Sequence, residues 1–156
     1  TGKKIPVVVA GGIFDGKDIA KFLKLGASGV QMATRFVTTK ECDAAEEFKK
    51  AYINSKKEDI EIVSSPVGMP GRAIRNTFIE KVKQERPKIT KCLKCIQTCD
   101  VKTTPYCITR ALINAVKGNM ENALIFCGSN AYRLKKIVSV HELMQELVQE
   151  TKQCMV

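Results

Sequence analysis

Apolar residues recur along this chain in two rhythms, short continuous runs and helical stripes, and they alternate. Ile5 to Ala10 (Ile-Pro-Val-Val-Val-Ala) is an unbroken, β-branched run, the pattern of a strand buried on both faces in a parallel sheet, and Gly11-Gly12 stops it. Asp15, with Asp18 three residues on, then caps a helix with an Ile19, Phe22, Leu23 stripe that ends at Gly26. Ala27 to Ala33 reads as a second short strand. Thr38 and Glu41 have the spacing of a capping box, and Ala45, Phe48 and Tyr52 carry the next helix to about Ser55. Two strands, each followed by a helix over short loops, predict a βαβα unit of a parallel α/β architecture.

Glu61 to Ser65 predicts a further strand, and Pro66 to Gly71 a loop. Ala73, Ile74, Phe78, Ile79 and Val82 mark one helix that ends before Pro87. From Lys88 the composition shifts to Lys, Thr and Cys as far as Thr104-Pro105, an N-cap and N1 pair for a helix from Tyr106 to Lys117. Its buried stripe is Ile108, Ala111, Leu112 and Ala115, and Gly118 closes it. Ser139 and Glu142 cap a last amphipathic helix with Leu143, Met144, Leu147 and Val148 on one face.

Composition narrows the class. With 44% hydrophobic and 27% charged residues among 156, the chain reads as a soluble globular domain, neither disordered nor fibrous, and no apolar run approaches the eighteen or so residues of a membrane span. It opens on Thr1 without a signal-peptide pattern and enters a strand almost at once, so it reads as a piece of a longer protein. The net charge of +10 favours anionic partners. Lysines 17, 21, 49, 50, 56 and 57 fall on faces that read as solvated, and the densest basic run is Arg72 to Lys94. With no Trp and no nucleic-acid motif, nucleic acid is an unlikely partner. Seven cysteines, an odd number with four crowded between 92 and 107, point to a reducing cytoplasm and not to a secreted disulfide framework.

Two glycine-bearing turns carry the candidate chemistry. In Val9-Ala10-Gly11-Gly12-Ile13 adjacent glycines let backbone N–H groups approach a ligand, and the helix start just after them favours a phosphate. Gly29-Val30-Gln31-Met32-Ala33-Thr34-Arg35-Phe36 ends the next strand and leads toward the next helix. Consecutive βα loops of this kind bind phosphate after the seventh and eighth strands of (β/α)₈ barrels. Cys127-Gly128-Ser129-Asn130 reads as a plain turn, with the mouth of a cofactor pocket as its functional alternative.

These motifs, together with Pro70-Gly71-Arg72-Ala73-Ile74-Arg75-Asn76, resemble the flavin-dependent nitronate monooxygenases (2-nitropropane dioxygenases) and the related flavin-dependent enoyl-acyl-carrier-protein reductases. The resemblance implies an FMN-binding TIM barrel of which residues 1–58 supply the last two β/α units. Residues 59–87 then form a strand, loop and helix extension, and 88–156 a Cys-containing segment with C-terminal helices. It places the FMN phosphate on the backbone at Gly11 and Gly12 and on Gln31, Met32, Ala33 and Thr34. The family usually has Gly at the position of Ala33, where a methyl group is tolerable only if φ is negative. The implied reaction is oxidation of an alkyl nitronate by O₂. The alternative is NAD(P)H-dependent reduction of an enoyl thioester, with the basic run receiving an acidic carrier protein. The family's catalytic His lies upstream of these residues, so no catalytic residue is expected here. The single His141 reads as solvent-facing, and Asp15 as a helix cap.

Cys92, Cys95, Cys99 and Cys107 give C-x2-C-x3-C-x7-C, four soft ligands able to close a zinc site or hold a [4Fe–4S] cluster. The first three positions resemble the iron–sulfur segment of larger flavin barrel reductases related to the old yellow enzymes. The competing reading is that Cys107 is ordinary core. A function of another class follows from the same cysteines: a metal-bound binding module without catalysis.

Overall fold

The first βα turn builds as its local chemistry dictates. In the structure, a computed structural model that describes residues 2–156, β1 (Val8–Ala10) pairs in parallel with β2 (Gly29–Gln31), Val9 opposite Val30. Between them runs α1 (Gly16–Lys24). The Asp15 carboxylate accepts from the Asp18 N–H at 3.0 Å and the Asp18 carboxylate from the Phe14 N–H at 2.9 Å, so the two acids cap the helix reciprocally. Gly26, at φ 95°, turns the chain out of α1 as a glycine at that place should.

β1 is shorter than the apolar run and is not buried on both faces: Ile5, Val7 and Val8 are exposed. Among the described residues the strand pairs along one edge only, with β2, and of its three residues only Val9 is half-buried.

Downstream, α2 (Thr34–Val37) is a single turn that the periodicity did not predict, and α3 spans Glu46–Asn54. The capping box expected at Thr38 does not form. Thr38 and Thr39 are instead buried, with Thr39 bridged to Val138, and Glu41 accepts from the Val140 N–H. Lys49, read as solvated, is buried on α3 with its Nζ 3.7 Å from Glu46.

A second, antiparallel sheet pairs β3 (Ile60–Val63) with β4 (Gly71–Ile74), and α4 follows at Thr77–Gln84. Ala73 and Ile74 are therefore strand, not the start of the helix. Asn76 ends the strand and caps α4 by accepting from the Ile79 N–H. The apolar run 123–127 lies extended along β4: the Ile74 N–H donates to Ile125 O and the Cys127 N–H to Arg72 O, both at 2.9 Å. α5 (Ile108–Val116) starts later than Thr104-Pro105 predicted, and Leu112 faces outward beside buried Ile108, Ala111 and Ala115.

Two apolar clusters hold these parts together. One joins Phe14, Tyr52, Ile74, Ala115 and Ile125; the other joins Val63, Phe78, Tyr106, Ile108 and Leu124. Both draw on residues 123–125, so that run is the seam of the fold.

α6 (Val140–Met155) opens on the predicted capping box, with Ser139 Oγ accepting from the Glu142 N–H and the Glu142 carboxylate accepting from the Ser139 N–H. Leu143 and Leu147 are buried, whereas Met144 and Val148 are exposed. Ser139→Ala removes one cap bond and is expected to cost about 1 kcal/mol, read as a fall in the urea midpoint at unchanged slope. No helix among the described residues is long and apolar enough to cross a membrane.

Candidate functional site

Three turns distant in sequence close on one pocket. Its walls are residues 10–14 after β1, 31–34 after β2 and 126–130 after the apolar run, and its volume is about 330 Å³. All six residues that sequence placed on a phosphate, Gly11, Gly12, Gln31, Met32, Ala33 and Thr34, line it. The third wall was read as a plain turn. It clasps the other two: the Gly128 N–H donates to Thr34 Oγ1 at 2.8 Å, and the Asn130 side-chain amide donates to Gly12 O at 2.7 Å. From below, the buried Tyr52 hydroxyl donates to Phe126 O at 2.5 Å, and burial pushes its phenol far above the usual range. The signal available in sequence was the glycine and two small polar residues directly after an apolar run.

The pocket offers main-chain donors and no charged side chain. Gly11 (φ 88°) and Gly12 (φ 73°) are both left-handed, a conformation glycine adopts without a Cβ penalty. A Cβ on Gly11 would meet nothing within 4 Å, and one on Gly12 would approach only Ser129 Oγ at 3.9 Å, so the left-handed backbone, not crowding, selects glycine. α2 begins at the rim. No side chain caps it, so its first N–H groups are left for a ligand or water. Ala33 has φ −124°, so its methyl group causes no left-handed strain. Cys127 is half-buried, and desolvation pushes its thiol up to about 11 despite the nearby Arg72 cation, which leaves it protonated and un-nucleophilic at neutral pH.

One expected phosphate donor is unavailable. The start of α1 is filled by its own carboxylates, and Arg133 pairs with Asp15 at 2.6 Å and reaches Asp18 at 3.9 Å. Arg133 and Arg35 both stack on Phe14, 4.1 and 4.4 Å from the ring centroid. This cation, acid and aromatic group braces the β1–α1 turn from behind. Burial alone would raise the Asp15 carboxyl, but the Asp18 N–H and the Arg133 guanidinium, with Lys17 nearby, outweigh it and hold it below the ordinary carboxylate range. A carboxyl depressed in the folded state contributes stability that is full above its unfolded pKa and lost as pH falls through the lower folded one. Asp15→Asn is therefore expected to be less stable than the parent at pH 7, with the gap narrowing below about pH 4. Thermal melts across pH check this, and parallel curves would contradict it.

His141 is exposed in the first turn of α6 and far from use. Cys92, Cys95, Cys99 and Cys107 line a separate small recess between the 85–107 segment and α5. Among the described residues no three His, Cys, Asp or Glu side chains are gathered to hold a metal ion.

The family model for nitronate monooxygenase matches residues 2–150, which takes in all three walls of the pocket. The chain belongs to the nitronate monooxygenase family. It is 34% identical over 154 residues to a probable nitronate monooxygenase of Staphylococcus haemolyticus, covering 95% of this chain and 39% of that relative. It is 45% identical over 80 residues to a probable nitronate monooxygenase of Staphylococcus aureus strain Newman, covering 51% of this chain and 22% of the relative. A solved structure of FabK from Thermotoga maritima superposes with a TM-score of 0.76 at 27% identity, over 97% of this chain and 45% of that one. A nitroalkane oxidase from Streptomyces ansochromogenes gives 0.73 at 22% identity, over 97% and 41%, a likeness of fold. The chain thus spans about two fifths of the length of the relatives it matches from end to end.

Proposed function

We propose that the protein carrying this chain is an FMN-dependent oxidoreductase that oxidises alkyl nitronates with O₂, and that this chain supplies its FMN-phosphate pocket. The observation that carries the reading is the convergence of the Gly11-Gly12 and Gln31–Thr34 turns on one uncharged, donor-rich pocket in a member of this family. A phosphate dianion fits it through main-chain N–H groups. Thr34 Oγ1 already accepts from Gly128, so its own hydrogen is left to donate to a phosphate oxygen. When bound, the flavin supplies the electron chemistry, and these residues hold and orient it.

In this reading residues 1–58 are the last two β/α units of a (β/α)₈ barrel, 59–87 an extension, and 88–156 the tail. The open faces of β1 fit a sheet that continues into strands outside this chain, where the base that activates the substrate also lies. No residue described here takes that role. The compartment proposed is a reducing cytoplasm, in keeping with seven free cysteines.

A second reading, NAD(P)H-dependent reduction of an enoyl thioester on an acidic carrier protein, is favoured by the basic run. Arg75 and Lys83 are tied into ion pairs with Asp59, Glu61 and Glu80, and Arg86 is turned onto the Val101 and Thr104 carbonyls. Arg72, Lys81, Lys88, Lys91 and Lys94 remain exposed to meet acidic side chains.

The full-length protein is expected to purify yellow and to consume O₂ with nitronates. NADH consumption with enoyl thioesters and not with nitronates would select the second reading. A colourless protein that takes up no FMN would end both.

A further inference from the structure

A second cavity, which shares no lining residue with the flavin pocket, opens between α4, residues 87–89 and α5. We propose that it binds a phosphate monoester carried on a flat ring, of about the size of a nucleoside monophosphate. Its volume is about 320 Å³, at the lower end of the roughly 300–1,000 Å³ typical of small-molecule sites.

Charge selects the head of the ligand. Lys88, from the irregular segment after α4, and Arg110, from the first turn of α5, both line the cavity, and no Asp or Glu does. Among the described residues neither forms an ion pair, whereas Arg75, Lys83 and Arg133 all do. Two cations that share one cavity without a carboxylate between them raise each other's energy, and a bound anion relieves this. A phosphate monoester, with a charge of about −1.5 to −2 at neutral pH, matches the pair better than a single carboxylate. Arg110 is already aimed: one guanidinium nitrogen donates to Thr90 Oγ1 at 3.3 Å, which leaves its other N–H groups for phosphate oxygens.

The walls select the body. Phe78 and Tyr106 are buried and meet edge to face, with ring centroids 5.3 Å apart at 81°. The Tyr106 hydroxyl donates to Ser64 O at 2.8 Å, and Ser64 lies outside the cavity, so the phenol brings its ring and not its polar tip. With Pro87 these rings give an apolar surface that suits a planar guest. Across from them the Asn114 side-chain N–H donates to Asn122 O at 3.1 Å, which leaves its carbonyl free to accept from a ring amino group.

The site is held before any ligand arrives. The Arg86 guanidinium donates to the Thr104 carbonyl at 2.7 Å and to the Val101 carbonyl, so the chain that carries Lys88 is tied down two residues before it. A wall fixed in advance loses less entropy on binding.

The test is calorimetric titration of the full-length protein, flavin bound, with AMP, adenosine and inorganic phosphate in turn. About one AMP per chain is expected to bind with no release of FMN, and adenosine and phosphate to bind about tenfold more weakly or less, since each meets half of the site. Lys88→Ala and Arg110→Ala should each weaken AMP by about tenfold, and together by about a hundredfold, one charged hydrogen bond being lost in each. Lys117→Ala, an exposed cation at the end of α5 outside the cavity, should change nothing. No AMP binding, phosphate bound as tightly as AMP, displacement of FMN by AMP, or full affinity in the double variant would each overturn the proposal. The comparison of the three ligands on the parent protein decides the matter even where a variant fails to fold. A protein that takes up no FMN can be titrated in the same way, so failure of the flavin reading and failure of this one are separate results.

Discussion

Replacing Gly12 with valine is expected to weaken FMN binding by about ten- to a hundredfold. Gly12 sits at φ 73°, which a β-branched residue adopts only at a cost of about 1–2 kcal/mol or more. The backbone relieves that cost by rotating out of the left-handed region. Rotation turns the Gly12 N–H away from the pocket and its carbonyl away from the Asn130 amide, which now donates to it at 2.7 Å. Losing one hydrogen bond to a charged phosphate is worth about 1.5–3 kcal/mol, which converts to the stated range. The methyl groups also point toward Ser129, whose Oγ is 3.9 Å from the Cβ position. Fluorescence titration of the apoprotein with FMN reads the effect. Gly26→Val is the control, since Gly26 is left-handed at φ 95° with open space around it and lies outside the pocket. Equal losses in both variants would mean that general destabilisation, not the pocket, is being measured.

What the sequence disclosed and what it hid divide along one physical line. The caps of α1 and α6 were legible because Asp15 with Asp18, and Ser139 with Glu142, satisfy donors within the same turn. The turns after β1 and β2 were legible as turns because strand, glycine-bearing loop and helix follow one another directly. β4 was not. Ala73, Ile74, Phe78 and Ile79 fit a helical period, and only the pairing of β4 with β3 on one side and with residues 125–127 on the other makes them strand. Gly71 illustrates the same point, since a side chain there would strike the Phe126 ring, which no local pattern announces. The third wall of the pocket depends on contacts 94 and 118 residues apart in the chain, so Cys127 to Asn130 read as a turn until the fold brought them to Thr34 and Gly12. β1 failed in the opposite sense: its pattern is that of a strand covered on both faces, yet Ile5, Val7 and Val8 stand exposed.

The same long-range dependence makes Gly16→Ala the most damaging small substitution expected outside the pocket. Gly16 is the first residue of α1 and is buried where α1 crosses α6. A Cβ placed on it would fall inside the body of α6, against Glu150 Cβ and the Thr151 backbone nitrogen, and backbone does not yield as a flexible side-chain tip does. The helices must therefore separate. Separation breaks the Gly16 N–H to Glu150 carboxylate bond, now 2.8 Å; the Thr151 hydroxyl gives its one proton to Leu147 O at 2.6 Å, so its 3.3 Å approach to the Gly16 carbonyl adds little. Overpacking of this kind costs about 1–3 kcal/mol, and the lost bond about 1 kcal/mol more. A net loss of about 3 kcal/mol corresponds to a fall in Tm of about 6–12 °C for a domain of this size. Because Asp15 and the Phe14 brace adjoin Gly16, the shift also reaches the β1–α1 turn, so FMN affinity should fall together with stability. Gly26→Ala separates crowding from backbone strain: it has the strain and no neighbour within 4 Å, and should cost only about 1–2 kcal/mol. If calorimetry finds the two variants alike, the close approach of α1 to α6 is not what requires glycine at position 16.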